Sequence, residues 1–221
     1  MAKPSADTRG SSPTAVKQSP AAEELEGTTL VGARPRLLFV LGEKDASGAE
    51  DITELAHAEA SNVLGGGAFS ELWEPVFRPL GAWSYGIHKH VRDLYLIDDA
   101  AAASGLRNVH IMTVGKSGRA DAEAARDIIA HTQPDLIVAS GGEPVYWPLV
   151  GHLELGHELL TTVYGEPVYY SILEADSHHS VLLHFWHPSH GYYTKGGHHY
   201  LFKLFLHAYD ALCRKRLVVC D

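Results

Sequence analysis

Two hydrophobic rhythms alternate along this chain of 221 residues. Short apolar runs recur: Arg36 to Leu41 (RLLFVL) and Leu136 to Ser140 (LIVAS) are nearly continuous, while Asn108 to Val114 (NVHIMTV) and Val181 to Trp186 (VLLHFW) are interrupted by polar residues. Runs of that length read as strands buried on both faces. Val168 to Leu173 alternates instead and reads as an edge strand. Between the runs the spacing turns helical. Ala49 to Leu64 sets Ile52, Leu55, Ala56 and Ala60 on one face before Gly65-Gly66-Gly67 stops it. Ala120 to His131 is rich in alanine, a strong helix former, with Ile128 and Ile129 on one side. Tyr146 to Leu160 reads as mostly helical, and Gly197 to Arg214 as a closing helix carrying Leu201, Leu204, Phe205, Ala208 and Leu212. Phe69 to Leu80, with Pro75 and Pro79, reads as a helical turn and loop, and Ile87 to Ile97 as a further amphipathic piece.

Strands that alternate with helices predict a three-layer α/β/α sandwich with a mainly parallel central sheet. In such a fold the loops leaving the carboxyl ends of the strands crowd one rim, where ligands bind. That rim is expected to gather Glu43, Asp45, Thr113, Lys116, Gly141, Gly142 and His187.

Composition then narrows the picture. Residues 1–34 are rich in Ser, Ala, Pro, Thr and Glu and hold almost no large apolar residue. Such a segment buries too little surface to offset its ordering entropy, so it is expected to be a disordered tail before one domain over 35–221. It has neither the apolar core of a signal peptide nor, with Glu23, Glu24 and Glu26, the character of a transit peptide. No stretch reaches the roughly 20 apolar residues of a membrane span. Two cysteines, Cys213 and Cys220, are too few for a disulfide framework or a four-thiolate cluster, and a reducing cytoplasm is the default expectation. The net charge of −9 argues against nonspecific nucleic-acid binding while leaving room for a small basic patch.

The richest stretch is VLLHFWHPSHGYYTK, residues 181–195. An apolar run delivers His187-Pro188-Ser189 to a strand end, where an imidazole faces the rim. Proline stiffens the exit, a serine hydroxyl can hold a loop or a phosphate, and tyrosines beside a lysine suit nucleic acid. The plain alternative is an ordinary turn.

Several segments in order resemble the uracil-DNA glycosylase superfamily, nearest its families 4 and 5. "LFVLGEKD" is similar to the first motif, a buried strand ending in Gly-Glu or Gly-Gln. "GGGAFSELWEPVFRPLG" resembles the turn whose phenylalanine stacks on the base, and "VLLHFWHPSH" resembles the second motif with its electrophilic histidine. The long stretch from Leu106 to Val150 is similar to the strand, basic turn, helix, strand and glycine between them. The resemblance covers about residues 36–210. It implies a glycosylase that cuts the N-glycosidic bond of a flipped base. Glu43 would orient water, with Asp45 in reserve, and His187 would stabilise the departing base. Gly42, Phe69, Thr113 and Gly141 would form the base pocket. Lys116, Arg119, Ser189, Tyr192, Tyr193 and Lys195 would meet single- or double-stranded DNA, the tyrosines as wedges. No cofactor is implied, and a monomer is expected.

The chain also departs from that pattern. The base-reading asparagine falls at Thr113, the proline expected after Glu43 is missing, and the iron–sulfur cysteines of family 4 are absent. Threonine is too short to offer both the donor and the acceptor with which an amide reads uracil. A modified pyrimidine or a deaminated purine is therefore the expected base, in repair or in defence against phage DNA with modified bases. Plainer roles stand beside these: Glu43 and Asp45 as helix caps, Phe69 as core, Lys116 and Arg119 as a solvated turn. Two other functions compete. Asp176, His178, His179, His184, His187, His190, His198 and His199 could ligate a divalent metal for hydrolysis. A member that binds nucleic acid without cutting it is the third possibility.

Overall fold

The computed structural model describes residues 34–42, 51–114, 119–163, 166–175, 178–192 and 197–220. Its centre is one six-stranded sheet in the order β2-β1-β3-β6-β5-β4. The strands are β1 (Leu37–Gly42), β2 (Val109–Val114), β3 (Leu136–Ser140), β4 (Glu158–Val163), β5 (Glu166–Ala175) and β6 (His178–Phe185). Four of them, β2, β1, β3 and β6, run parallel, and β5 and β4 extend the sheet as antiparallel neighbours. The α/β sandwich follows from the unbroken apolar runs: Leu37 to Leu41 and all of β3 are buried on both faces.

Each face has its own core. Leu37, Phe39, Leu41, Val138, Leu183 and Phe185 point to the side packed by α1 (Ile52–Leu64), α2 (Glu74–His88), α3 (Asp99–Leu106) and α6 (Gly197–Arg214). Leu38, Val40, Ile137, Ala139 and Leu182 point to the side packed by α4 (Arg119–Thr132) and α5 (Glu143–His152). Asp51 caps α1, its carboxylate accepting from the N–H groups of Thr53 and Glu54 at 2.8 and 3.0 Å. Side chains of α1 also close the open edge of β2. The Thr53 hydroxyl donates to the Ile111 carbonyl and accepts from its N–H, and His57 Nε2 meets the Val109 carbonyl.

Several expectations need correction. Residues 74–88 form one helix, not a turn and loop, because Pro75 sits in the first turn, where its missing N–H costs nothing. The piece expected over Ile87 to Ile97 is the end of that helix and a short 3₁₀ turn at Leu94–Leu96. Helix α3 has almost no large apolar residues and so no visible periodicity. It exists because small residues let it press against α2: a Cβ at Gly81 would overlap the Ala102 carbonyl, and one at Gly105 the Gly81 carbonyl. The helix expected over Tyr146 to Leu160 is instead α5 followed by β4. The chain turns at Glu154, which has a positive φ of 55°. Strand β5 is accordingly an inner strand, with β4 outside it. Cys213 and Cys220 are joined in a disulfide that ties the C-terminal segment to the end of α6. Among the described residues no helix is long and apolar enough to cross a membrane.

Candidate functional site

The carboxyl ends of β1, β2, β3 and β6 share one rim because those strands are parallel. The chain leaves β1 towards β2 and then crosses back to β3, so its connections part at the ends of β1 and β3. Open α/β sheets bind ligands at such a switch point. Here the two strand ends carry glycines. A Cβ on Gly141 would lie 3.7 Å from the Gly42 nitrogen and would overlap Val145, so the backbones approach without side chains between them. Gly142 follows at φ 68° and ψ −153°, a conformation that glycine adopts readily and other residues rarely reach. Its N–H donates to the Phe185 carbonyl at 2.9 Å, which locks the end of β3 to the end of β6. Helix α5 starts at the next residue.

Two residues past that bond stands His187, half-buried where β6 leaves the sheet. A short 3₁₀ turn over Pro188–Tyr192 folds Ser189 back onto it. The Ser189 N–H donates to His187 Nδ1 at 3.2 Å, and the Ser189 hydroxyl lies 2.6 Å from the same nitrogen. A backbone N–H only donates, so Nδ1 accepts and the neutral ring carries its proton on Nε2. The local sequence sets the protonated nitrogen.

The other expected site residues divide. Gly42, Gly141 and His187 share the rim, and Ser189 serves the imidazole instead of reaching outward. Phe69 takes the plainer of its two roles, 8% exposed in the larger core. The loop carrying it is clamped by Asn62, whose amide donates to the Ala68 carbonyl, and by Glu59, which accepts from the Ser70 N–H. Thr113 pairs with Leu41 on the outer strand and lines a cleft of about 640 Å³ beside α1 and α4, together with Asp51, His110, Asp127 and His131. Burial, then the charges of His57 and His131, hold His110 below its ordinary value, with Asp51 pulling the other way. Arg119 opens α4, and Tyr192 closes the 3₁₀ turn. The tail through residue 33, Glu43, Asp45, Lys116, Tyr193 and Lys195 lie outside the described residues.

The histidines considered as metal ligands are spread along β6 and beyond it. His178 sits at the opposite end of the strand, its Nε2 on the Pro134 carbonyl, about 23 Å of strand away from Phe185 at about 3.3 Å per residue. His199 faces Asp93 at 3.7 Å and stacks on Tyr95. Among the described residues no three His, Cys, Asp or Glu side chains group to hold a metal ion.

Sequence reasoning missed Glu143 as a rim residue and named His184 only as a possible metal ligand. Glu143 is the first residue of α5, and His184 lies just before the end of β6, where it pairs with Ala139. His184 is buried, and neither ring nitrogen has a hydrogen-bond partner. Burial lowers its pKa, opposed by the nearby charge of Glu143. The signal for Glu143 was Gly-Gly-Glu-Pro directly after a buried run. No signal in the sequence separated His184 from the histidines around it.

No family model, no curated protein and no solved structure matches this chain.

Proposed function

We propose that this protein is a DNA glycosylase that hydrolyses the N-glycosidic bond of a flipped, modified or deaminated base and leaves an abasic site. The observation that carries the reading is the fixed tautomer of His187 at the switch point. Breaking the bond builds positive charge on the sugar and negative charge on the base. A neutral imidazole whose Nε2–H is already oriented stabilises the base anion without reorganising during the reaction. The resemblance of the two motifs supports the same chemistry, with Glu43 favouring the sugar cation.

Flipping a base costs roughly a few kcal/mol, least for a mismatched or damaged one. With Phe69 packed in the core and Thr113 on the outer strand, the base pocket draws on other groups than the family pattern implies. That favours a target other than plain uracil, in repair or in defence against phage DNA. A monomer belongs to the same reading, while the Cys213–Cys220 disulfide runs against the reducing cytoplasm expected from the cysteine count. The departures from the first motif after Glu43 favour one rival, a member that binds nucleic acid without cutting it.

Oligonucleotides carrying uracil, hypoxanthine or bulky 5-substituted pyrimidines, incubated with the protein and then treated with alkali, decide between these. Strand cleavage at one modified or deaminated base, lost in a folded His187→Ala variant, is the expected result. Binding without cleavage at any base would favour the rival.

A further inference from the structure

The bond from the Gly142 N–H to the Phe185 carbonyl, 2.9 Å long, has a second effect. Glu143 follows one partner and His184 precedes the other, so the bond sets these two residues side by side at the rim. His184 lies against the first turn of α5, its ring centroid 5.2 Å from that of Tyr146. Tyr169 and Trp186 flank it at 6.2 Å each. The imidazole is 7% exposed, and its Nδ1 and Nε2 are both buried without a hydrogen-bond partner. A buried polar group left so costs about 1–3 kcal/mol and calls for an explanation. Glu143, one residue from the bond, is exposed, and its carboxylate has no hydrogen bond or ion pair among the described residues.

We propose that Glu143 is a catalytic carboxylate of this rim and that His184 is its positioning residue. The inference rests on the glycosylase reading for its reaction, though not for the pairing. With substrate bound, the carboxylate turns inward, and one His184 nitrogen donates a hydrogen bond to it. The other carboxylate oxygen then takes a proton from water as the water oxygen bonds to the sugar C1′. The C1′–N bond breaks, its electron pair leaves with the base, His187 Nε2–H stabilises the resulting anion, and solvent later protonates it. Burial keeps His184 neutral, so it serves as a donor without cancelling the charge of Glu143. The plainer role for Glu143 is to favour the positive end of the α5 dipole, which leaves the orphaned imidazole unexplained.

The pairing is tested on the full chain by a ¹⁵N NMR titration of His184 in the wild type and in Glu143→Gln. Removing the carboxylate should lower the His184 pKa measurably; an unchanged titration overturns the pairing. The role is tested by single-turnover excision on the oligonucleotide panel. Glu143→Gln should lose about 100-fold or more in rate with KM little changed. His184→Phe, which keeps the packing, should lose about 10-fold, and His184→Gln, which keeps a donor, should recover most of that. In the Glu143→Gln background, His184→Phe should cost almost nothing more, because it acts through the carboxylate. Excision at the wild-type rate in Glu143→Gln overturns the role while leaving the glycosylase reading standing. No abasic product from the wild type at any base overturns both that reading and this role, and the NMR titration still decides the pairing.

Discussion

Replacing Ser189 with alanine removes the hydroxyl 2.6 Å from His187 Nδ1 and leaves the backbone N–H at 3.2 Å in place. The two neutral tautomers of imidazole differ little in energy by themselves, so the donors aimed at Nδ1 hold the proton on Nε2. A neutral hydrogen bond contributes about 0.5–1.5 kcal/mol. Losing one of two therefore weakens the preference for the Nε2–H form by roughly 2- to 12-fold without abolishing it. The remaining N–H still keeps most of the ring protonated on Nε2, so excision by Ser189→Ala should slow by less than about twofold. His187→Ala removes the donor itself and should cost about 100- to 1000-fold, as the loss of one oxyanion donor does. The tautomer is read directly from the ¹⁵N shifts of His187, and the rate from single-turnover product formation. A wild-type ring protonated on Nδ1 would refute the reasoning outright. So would a Ser189→Ala variant as impaired as His187→Ala, since one hydroxyl cannot account for so large a loss.

Other consequences follow from the same structure. Gly81→Ala or Gly105→Ala forces a methyl into the α2–α3 contact, where the facing carbonyl cannot yield; either should lose about 3 kcal/mol in urea unfolding. Gly142→Ala places a side chain at φ 68° and ψ −153°, should cost about 1–3 kcal/mol, and should disturb the Gly42, Phe185 and His187 amides in an NMR spectrum. Burial holds His184 below the ordinary 6.5, and burial followed by the charge of Arg78 does the same to His198. The unfolded chain takes up these protons as pH falls through 6.5 and the folded chain does not. Stability is thus fully present above 6.5 and declines below it towards the folded values, by up to about 1.4 kcal/mol per pH unit for His184; urea midpoints at pH 7.5, 6.5 and 5.5 would show it. Reducing the Cys213–Cys220 bridge, which spans a sequence separation of 7, should cost about 2 kcal/mol by the chain-entropy account, seen as a lower urea midpoint with reductant.

The parallel half of the sheet was legible because its signal is strong. RLLFVL and LIVAS are unbroken apolar runs, and both became strands within a residue of the expected bounds. Helix α6 was legible for a related reason, since Leu201, Leu204, Phe205, Ala208 and Leu212 form one buried stripe. Where small residues carry the packing the signal vanishes. Asp99 to Leu106 reads as alanine, serine and glycine, and its reason to exist lies in Gly81, far away in sequence. Proline misled in the opposite direction at Pro75 and Pro79, because its cost depends on where in a helix it falls. Strand-end placement put Gly141 and His187 on one rim, where the structure has them. The orphaned nitrogens of His184 were invisible, because hydrogen-bond partners come from tertiary contacts. Phe69 shows the same limit, as one loop sequence can offer an aromatic ring to a ligand or to the core.

The account stands most directly on the identity of what leaves the DNA. Wild-type protein and a folded His187→Ala variant are incubated with duplexes bearing each candidate base, and the supernatant is analysed by mass spectrometry. The account predicts a free, intact modified or deaminated base together with an equimolar abasic strand, formed by the wild type and reduced at least 100-fold in His187→Ala. Release of no base from any duplex, or equal release by the two proteins, would contradict it.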